Sequence, residues 1–189
     1  MNKGIGAGGK KTVINGSLFE IKTSVEKKLL ENNYKKKIMS KNKFGYYFEN
    51  IYGSVKTIYL TQNGFKEYFK KYYNLDIYKQ PDEAFIIISD DMLKIKILEK
   101  KNQNVEGSVE DKLKTGLFNK KEYEKMFLPI LNIKLTVSYA FCVSKFLQNK
   151  FESDSIKYKI YKEIMNEDNI KLFYSDDKNY FNNLFDWIE

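Results

Sequence analysis

The chain predicts a mixed α/β domain, a central sheet flanked by helices, on three observations. Apolar residues recur at helical spacing in some segments, as at Leu18, Ile21, Val25, Leu29 and Leu30, and alternate in others, as at Ile133, Leu135, Val137 and Tyr139. Segments of the two kinds follow one another along the chain, the pattern of helices covering a sheet. Two prolines and ten glycines in 189 residues leave few breaks, and no internal repeat or linker divides the sequence.

Residues 1–16, rich in Gly and Lys, read as a flexible arm, and residues 17–189 as one domain large enough for a core. A first helix is expected from about Ser17 to Asn32, with Gly16 or Ser17 near its cap. Lys35 to Lys43 reads as a basic loop. Phe44 to Tyr52 and Val55 to Leu60 form paired strands around the two-residue turn Gly53-Ser54, and Thr61-Gln62-Asn63 starts a helix through Phe65, Tyr68, Phe69 and Tyr72. The segment QPDEAFIIISDDMLKIKILEKKNQ is a hairpin pattern, with apolar runs at Ala84 to Ile88 and Ile95 to Leu98 and a Ser89-Asp90-Asp91 turn. Gly107-Ser108 precedes a helix from Val109 to about Thr115. A short helical turn covers Lys121 to Phe127, and Pro129 ends it. Ile130 to Val143 is a half-buried strand. Helices over about 144–151 and 155–166, a strand from Ile170 to Tyr174 and an amphipathic helix from Asn179 to Ile188 complete the chain.

Composition narrows the chemistry. Hydrophobic residues make up 42% and aromatics 16%, which excludes a mainly disordered chain despite 31% charged residues. No stretch approaches the roughly 20 apolar residues that span a bilayer, and the start, MNKGIGAGGKK, has no apolar run behind its charges, so neither a membrane span nor a secretory signal is read. An intracellular protein is expected. Histidine is absent, which excludes imidazole triads and His-ligated zinc within this chain. The single cysteine, Cys142, lies in the apolar run VSYAFCVS and reads as packed core. All 33 basic residues are lysine and the net charge is +8; residues 1–80 alone carry sixteen lysines against six acids. A polyanionic partner fits that excess. Without arginine, base readout falls to Lys, Asn, Gln, Ser, Thr or backbone. Coding bias in an AT-rich genome accounts for the lysines equally well.

The hairpin segment carries the chemistry. Pro81-Asp82 opens it, and after sixteen intervening residues Glu99-Lys100-Lys101 closes it. A hairpin brings Asp82 close to Glu99, and carboxylate oxygens are the natural ligands of a hard cation such as Mg2+. Asp82, Glu99 and the backbone carbonyl of Lys100 are the candidate metal ligands. Lys101 lies two residues from Glu99, on the same face of the strand, where it can orient or deprotonate water or stabilise a pentavalent phosphate. The side chain of Lys100 points the other way. The competing account makes Asp82 a strand start and Glu99 with Lys101 a solvated edge pair.

These residues, with Phe19-Glu20 on the preceding helix, Gln103 and a Gly-Ser-led helix after them, resemble the PD-(D/E)xK nuclease superfamily. The runs LEKKNQNVEGSVEDKL and GAGGKKTVINGSLFE resemble in particular its type II restriction endonucleases and their viral or phage relatives; the likeness spans Gly6 to about Gly116. The arm departs from that branch in that Gly8 to Val13 contains no asparagine. The resemblance implies a restriction-endonuclease-like αβββαβ core, Mg2+-dependent hydrolysis of double-stranded DNA with Mn2+ as an alternative ion, and a homodimer where both strands are cut. It also implies an intracellular setting, cytoplasmic or within a virus-infected host cell. It assigns metal binding to Asp82 and Glu99, the catalytic lysine to Lys101, an acidic supporting role to Glu20 and a phosphate- or water-contacting role to Gln103. A repair or junction-resolving nuclease, and a non-catalytic DNA-binding subunit, are the alternatives.

Further DNA contacts are expected from Lys10 and Lys11 on the arm, and from Ser108, Lys112 and Lys114 around a helix N-terminus. Plain solubility explains the lysines as well. Gly4 to Lys10 matches a phosphate-loop spacing, but Lys11 stands where Ser or Thr is required and no strand precedes it, so nucleotide binding is not expected. Tyr46, Tyr47, Phe48 and Tyr52 read as core and rim of a strand.

Overall fold

The computed structural model describes residues 10–103, 109–130 and 134–189. Its elements are α1 (Lys10–Thr23), α2 (Glu26–Glu31), β1 (Lys35–Ile38), β2 (Tyr46–Tyr52), β3 (Val55–Thr61), α3 (Gln62–Tyr73), β4 (Glu83–Ile88), β5 (Met92–Lys101), α4 (Val109–Lys114), α5 (Gly116–Met126), β6 (Lys134–Val143), α6 (Lys145–Phe151), α7 (Ile156–Glu167), β7 (Ile170–Tyr174) and α8 (Tyr180–Ile188). The strands form a single mixed sheet in chain order, β1 to β7. The first five make an antiparallel meander, and β5, β6 and β7 run parallel.

Helices cover both faces of the sheet, which separates two cores. One gathers Phe65 and Phe69 of α3, Tyr123 of α5 and Leu147 of α6 over Ile86, Ile95, Ile97 and Phe141. The other gathers Phe19 of α1, Leu29 of α2 and Leu184 of α8 over Tyr59, Phe85, Leu98 and Cys142. β4 is buried along nearly its whole length, which is why its sequence is a continuous apolar run and not an alternation. β1 lies at the sheet edge with all four residues exposed, and its three lysines blunt that edge against further strand pairing.

Several boundaries differ from the sequence expectation. The first helix begins at Lys10, so residues 10–16 of the expected arm are helical; residues 1–9 lie outside the described residues. The expected helix to Asn32 is two helices: Thr23 turns its hydroxyl back onto Phe19 O (2.8 Å), and the chain bends at Ser24-Val25 before α2. Lys35 to Lys37, expected in a loop, pair with β2 as a strand. Helix α5 starts at Gly116, five residues before the expected helical turn, where an added Cβ would meet Ile170 Cδ1 and Phe141 Cε2 at 2.9 Å. Both hairpins and the last helix lie where the sequence put them. Among the described residues no helix is long and apolar enough to cross a membrane.

Candidate metal and phosphodiester site

Asp82 stands at the foot of β4, directly after Pro81, and Glu99, Lys100 and Lys101 close β5. β5 is an interior strand, antiparallel to β4 on one side and parallel to β6 on the other. Successive side chains of a strand point to opposite faces. Glu99 and Lys101 therefore share the face of Ile95 and Ile97, and Lys100 shares the opposite face with Leu98. Lys101 Nζ lies 2.7 Å from Glu99 Oε2 and 3.8 Å from Asp82 Oδ2, so one ammonium bridges the two carboxylates. The Glu99 side chain is only 13% exposed, which rules out the solvated edge pair. Burial lifts its carboxyl above the ordinary value; Lys101 opposes the lift and the Asp82 carboxylate adds to it.

Within a strand a residue's N–H and C=O point to the same side, and the side alternates from residue to residue. Asp91 O accepts from Lys134 N and Lys101 O from Ser144 N, both at 3.2 Å and both on the β6 side, whereas Met92 O accepts from Ser89 N (3.0 Å) on the β4 side. Even-numbered residues of β5 thus face β4. Lys100 accordingly turns its N–H towards β4, where it donates to Asp82 Oδ2 at 2.6 Å, and its carbonyl points the same way. The last ladder pair is Glu83 with Leu98. Pro81 lies beyond that rung, past a bend at Asp82, and has no N–H to donate.

Two carboxylates and a main-chain carbonyl are hard oxygen donors, and Mg2+ is commonly held by one or two carboxylates with water and phosphate oxygens completing its shell. The residues present fit such an ion. Among the described residues no cluster of three or more His, Cys, Asp or Glu side chains is assembled, so the donor set is a sparse one.

The other expected residues are dispersed. Glu20 lies on the opposite face, its Oε2 3.4 Å from Lys100 Nζ and its side chain 60% exposed, because α1 packs through Phe19 onto the core that Glu99 and Lys101 face away from. The structure does not bring it to Glu99. A cleft of about 380 Å³ opens on this side, lined by Glu20, Tyr46, Thr61, Gln62, Asp82 and Lys100. Gln103 is buried beyond the end of β5; its N–H donates to Ser144 Oγ (3.2 Å), and that hydroxyl donates to Gln103 O (2.6 Å). Lys10 and Lys11 begin α1, but their side chains, like the whole of Ser108, lie outside the described residues. Lys112 is exposed on α4, and Lys114 is paired with Asp111 at 2.8 Å.

One neighbour of the site escaped sequence reading. Lys79 Nζ donates to Asn119 Oδ1 (2.7 Å), pairs with Glu122, and lies near enough to Glu99 to favour its ionised form. Nothing in the sequence around Lys79 marks it, since it precedes β4 in an irregular stretch. Asn119 and Tyr123 are four residues apart on α5, a spacing that places both on one helix face.

No protein-family model, curated protein or solved structure matched the chain.

Proposed function

We propose that the chain is a divalent-metal-dependent deoxyribonuclease resembling the PD-(D/E)xK superfamily, cleaving phosphodiester bonds of double-stranded DNA in the manner of a type II restriction enzyme. The observation that carries this reading is that the Lys101 ammonium meets both the Glu99 and the Asp82 carboxylates, while the Lys100 main-chain N–H donates to Asp82. The order of elements supports it. The adjacent antiparallel strands β3, β4 and β5, then α4 and α5, then β6 parallel to β5 follow part of an αβββαβ order, with α3 inserted between β3 and β4 and two further strands, β1 and β2, ahead of them.

Asp82 and Glu99 would hold Mg2+ or Mn2+ with the Lys100 carbonyl. When bound, the ion neutralises charge building on the phosphate and eases deprotonation of water. Lys101 supplies the remaining function. Its ammonium, drawn away from one carboxylate, can orient the attacking water or meet the charge on a phosphate oxygen. Lysines of the N-terminal half would meet DNA phosphates, and a homodimer would allow both strands to be cut.

Plasmid DNA incubated with the protein and Mg2+ or Mn2+ is expected to be cut, and EDTA to stop cutting. Asp82→Ala and Lys101→Ala are each expected to lower the rate by about 10²-fold or more with the fold retained. Undiminished cutting by both variants rejects the assignment. A shift of DNA mobility without nicking favours a binding subunit, and preference for branched over linear DNA favours a junction-resolving nuclease.

A further inference from the structure

Directly behind the Asp82–Glu99–Lys101 face, the sheet carries a second polar cluster. Lys100 Nζ lies 2.7 Å from Glu83 Oε1, with side chains only 3% and 6% exposed. Tyr59 Oη donates to the same carboxylate oxygen at 2.9 Å, while the buried Glu83 Oε2 has no hydrogen-bond partner among the described residues. Glu20 closes the cluster on its solvent side.

A buried ion pair is weak ground for stability. Removing two charges from water costs several kcal/mol per ion, and well-packed apolar replacements are often neutral or stabilising. Its location does suggest a role. Glu83 follows Asp82, and Lys100 sits between Glu99 and Lys101, so each member of the pair is a chain neighbour of a candidate site residue. Glu83 belongs to the last rung of the β4–β5 ladder and Lys100 lies two residues beyond Leu98, where main-chain pairing of the two strands has ended. The ion pair therefore joins the two strands at the point where the ladder can no longer do so. The same backbone carries the Lys100 N–H that orients Asp82.

We propose that Lys100, Glu83 and Tyr59 form a positioning clamp on the back of the sheet, holding the ends of β4 and β5 so that Asp82, Glu99 and the Lys100 carbonyl converge on a divalent cation. The cation is that of the proposed function, on which this inference rests. Glu83 and Lys100 are positioning residues and do not touch the ion through their side chains.

The test compares wild-type protein with the double variant Glu83→Leu/Lys100→Met, which removes both charges together and leaves neither buried alone. Two measurements on metal-free protein apply: Mn2+ affinity by calorimetry, and exchange of the Lys100 amide by NMR. Outer residues that orient metal ligands typically contribute about 10–100-fold in affinity. The double variant is expected to stay folded, to bind Mn2+ about ten-fold or more weakly, and to exchange the Lys100 amide faster. Wild-type affinity and protection in a folded double variant overturn the clamp. If the double variant does not fold, Glu83→Gln takes its place, with about a three-fold loss expected and wild-type affinity overturning the proposal. Failure of wild-type protein to bind Mn2+ rejects the functional reading instead, and the amide exchange then still reports whether the pair holds the strand ends.

Discussion

Asp82 and Lys100 join the ends of β4 and β5 beyond the last rung of the ladder, Glu83 with Leu98: the Lys100 main-chain N–H donates to Asp82 Oδ2 at 2.6 Å. By strand alternation the Lys100 carbonyl turns to the same side as that N–H, and Pro81 has no N–H to offer it.

Pro81→Ala adds a main-chain N–H just beyond the end of the β4–β5 ladder. If the ladder extends by one rung, the carbonyl is occupied and Mn2+ affinity falls by several-fold, about the weight of one ligand's support. Thermal stability is expected to hold or rise, since an unpaired rung is completed. Calorimetric titration with Mn2+ decides it, and an unchanged affinity removes the carbonyl from the ligand set.

Glu99→Gln removes a charge whose ionisation is opposed by burial first and by Asp82 second, Lys101 compensating only in part. The sign follows. A carboxyl raised in the folded state destabilises that state once pH exceeds its unfolded value, and the cost is in full force above the folded value. At neutral pH the metal-free variant is expected to melt at or above the wild-type temperature while cutting is lost. A clear drop in melting temperature contradicts this account of Glu99.

Gly64→Ala sets a local preference against packing. Alanine inside a helix is favoured over glycine by about 1 kcal/mol. At this position, however, the new Cβ would meet the backbone carbonyl oxygen of Tyr46 at 2.8 Å, and a main-chain atom of β2 has little room to retreat. A net loss of about 1–3 kcal/mol in urea unfolding is expected, the usual range for overpacking. A stabilised variant shows that β2 yields.

Cys142 is fully buried, and burial pushes its thiol up to about 12. A thiol raised by burial costs nothing below its unfolded value, near 9, where it is neutral in both states, and destabilises the fold progressively as pH climbs from there towards 12. At pH 8 the native protein is expected to resist a thiol-specific chromogenic reagent and to react fully once unfolded in guanidinium. Rapid native reaction means the strand opens locally.

The order of elements was largely legible because burial on both faces of β4 and alternation in β6 leave direct marks on the sequence. The bend at Ser24-Val25 was not, since it depends on Thr23 bonding back to Phe19 while both are buried. Lys79 was illegible for a similar reason. Its partners Asn119 and Glu122 lie some forty residues away on α5, and nothing local announces such a contact.

The sequence by itself determined that Glu99 and Lys101 share a face, because strand side chains alternate, and that Pro81 withholds a donor, because its nitrogen carries no hydrogen. Only the tertiary structure decided which helices cover which face. That choice put Glu20 beside Lys100 instead of Glu99, and it buried Lys100 with Glu83 behind the site. Alternation assigns residues to two sides of a strand, but the identity of each side is set by long-range packing of α1 against one core and α5 against the other.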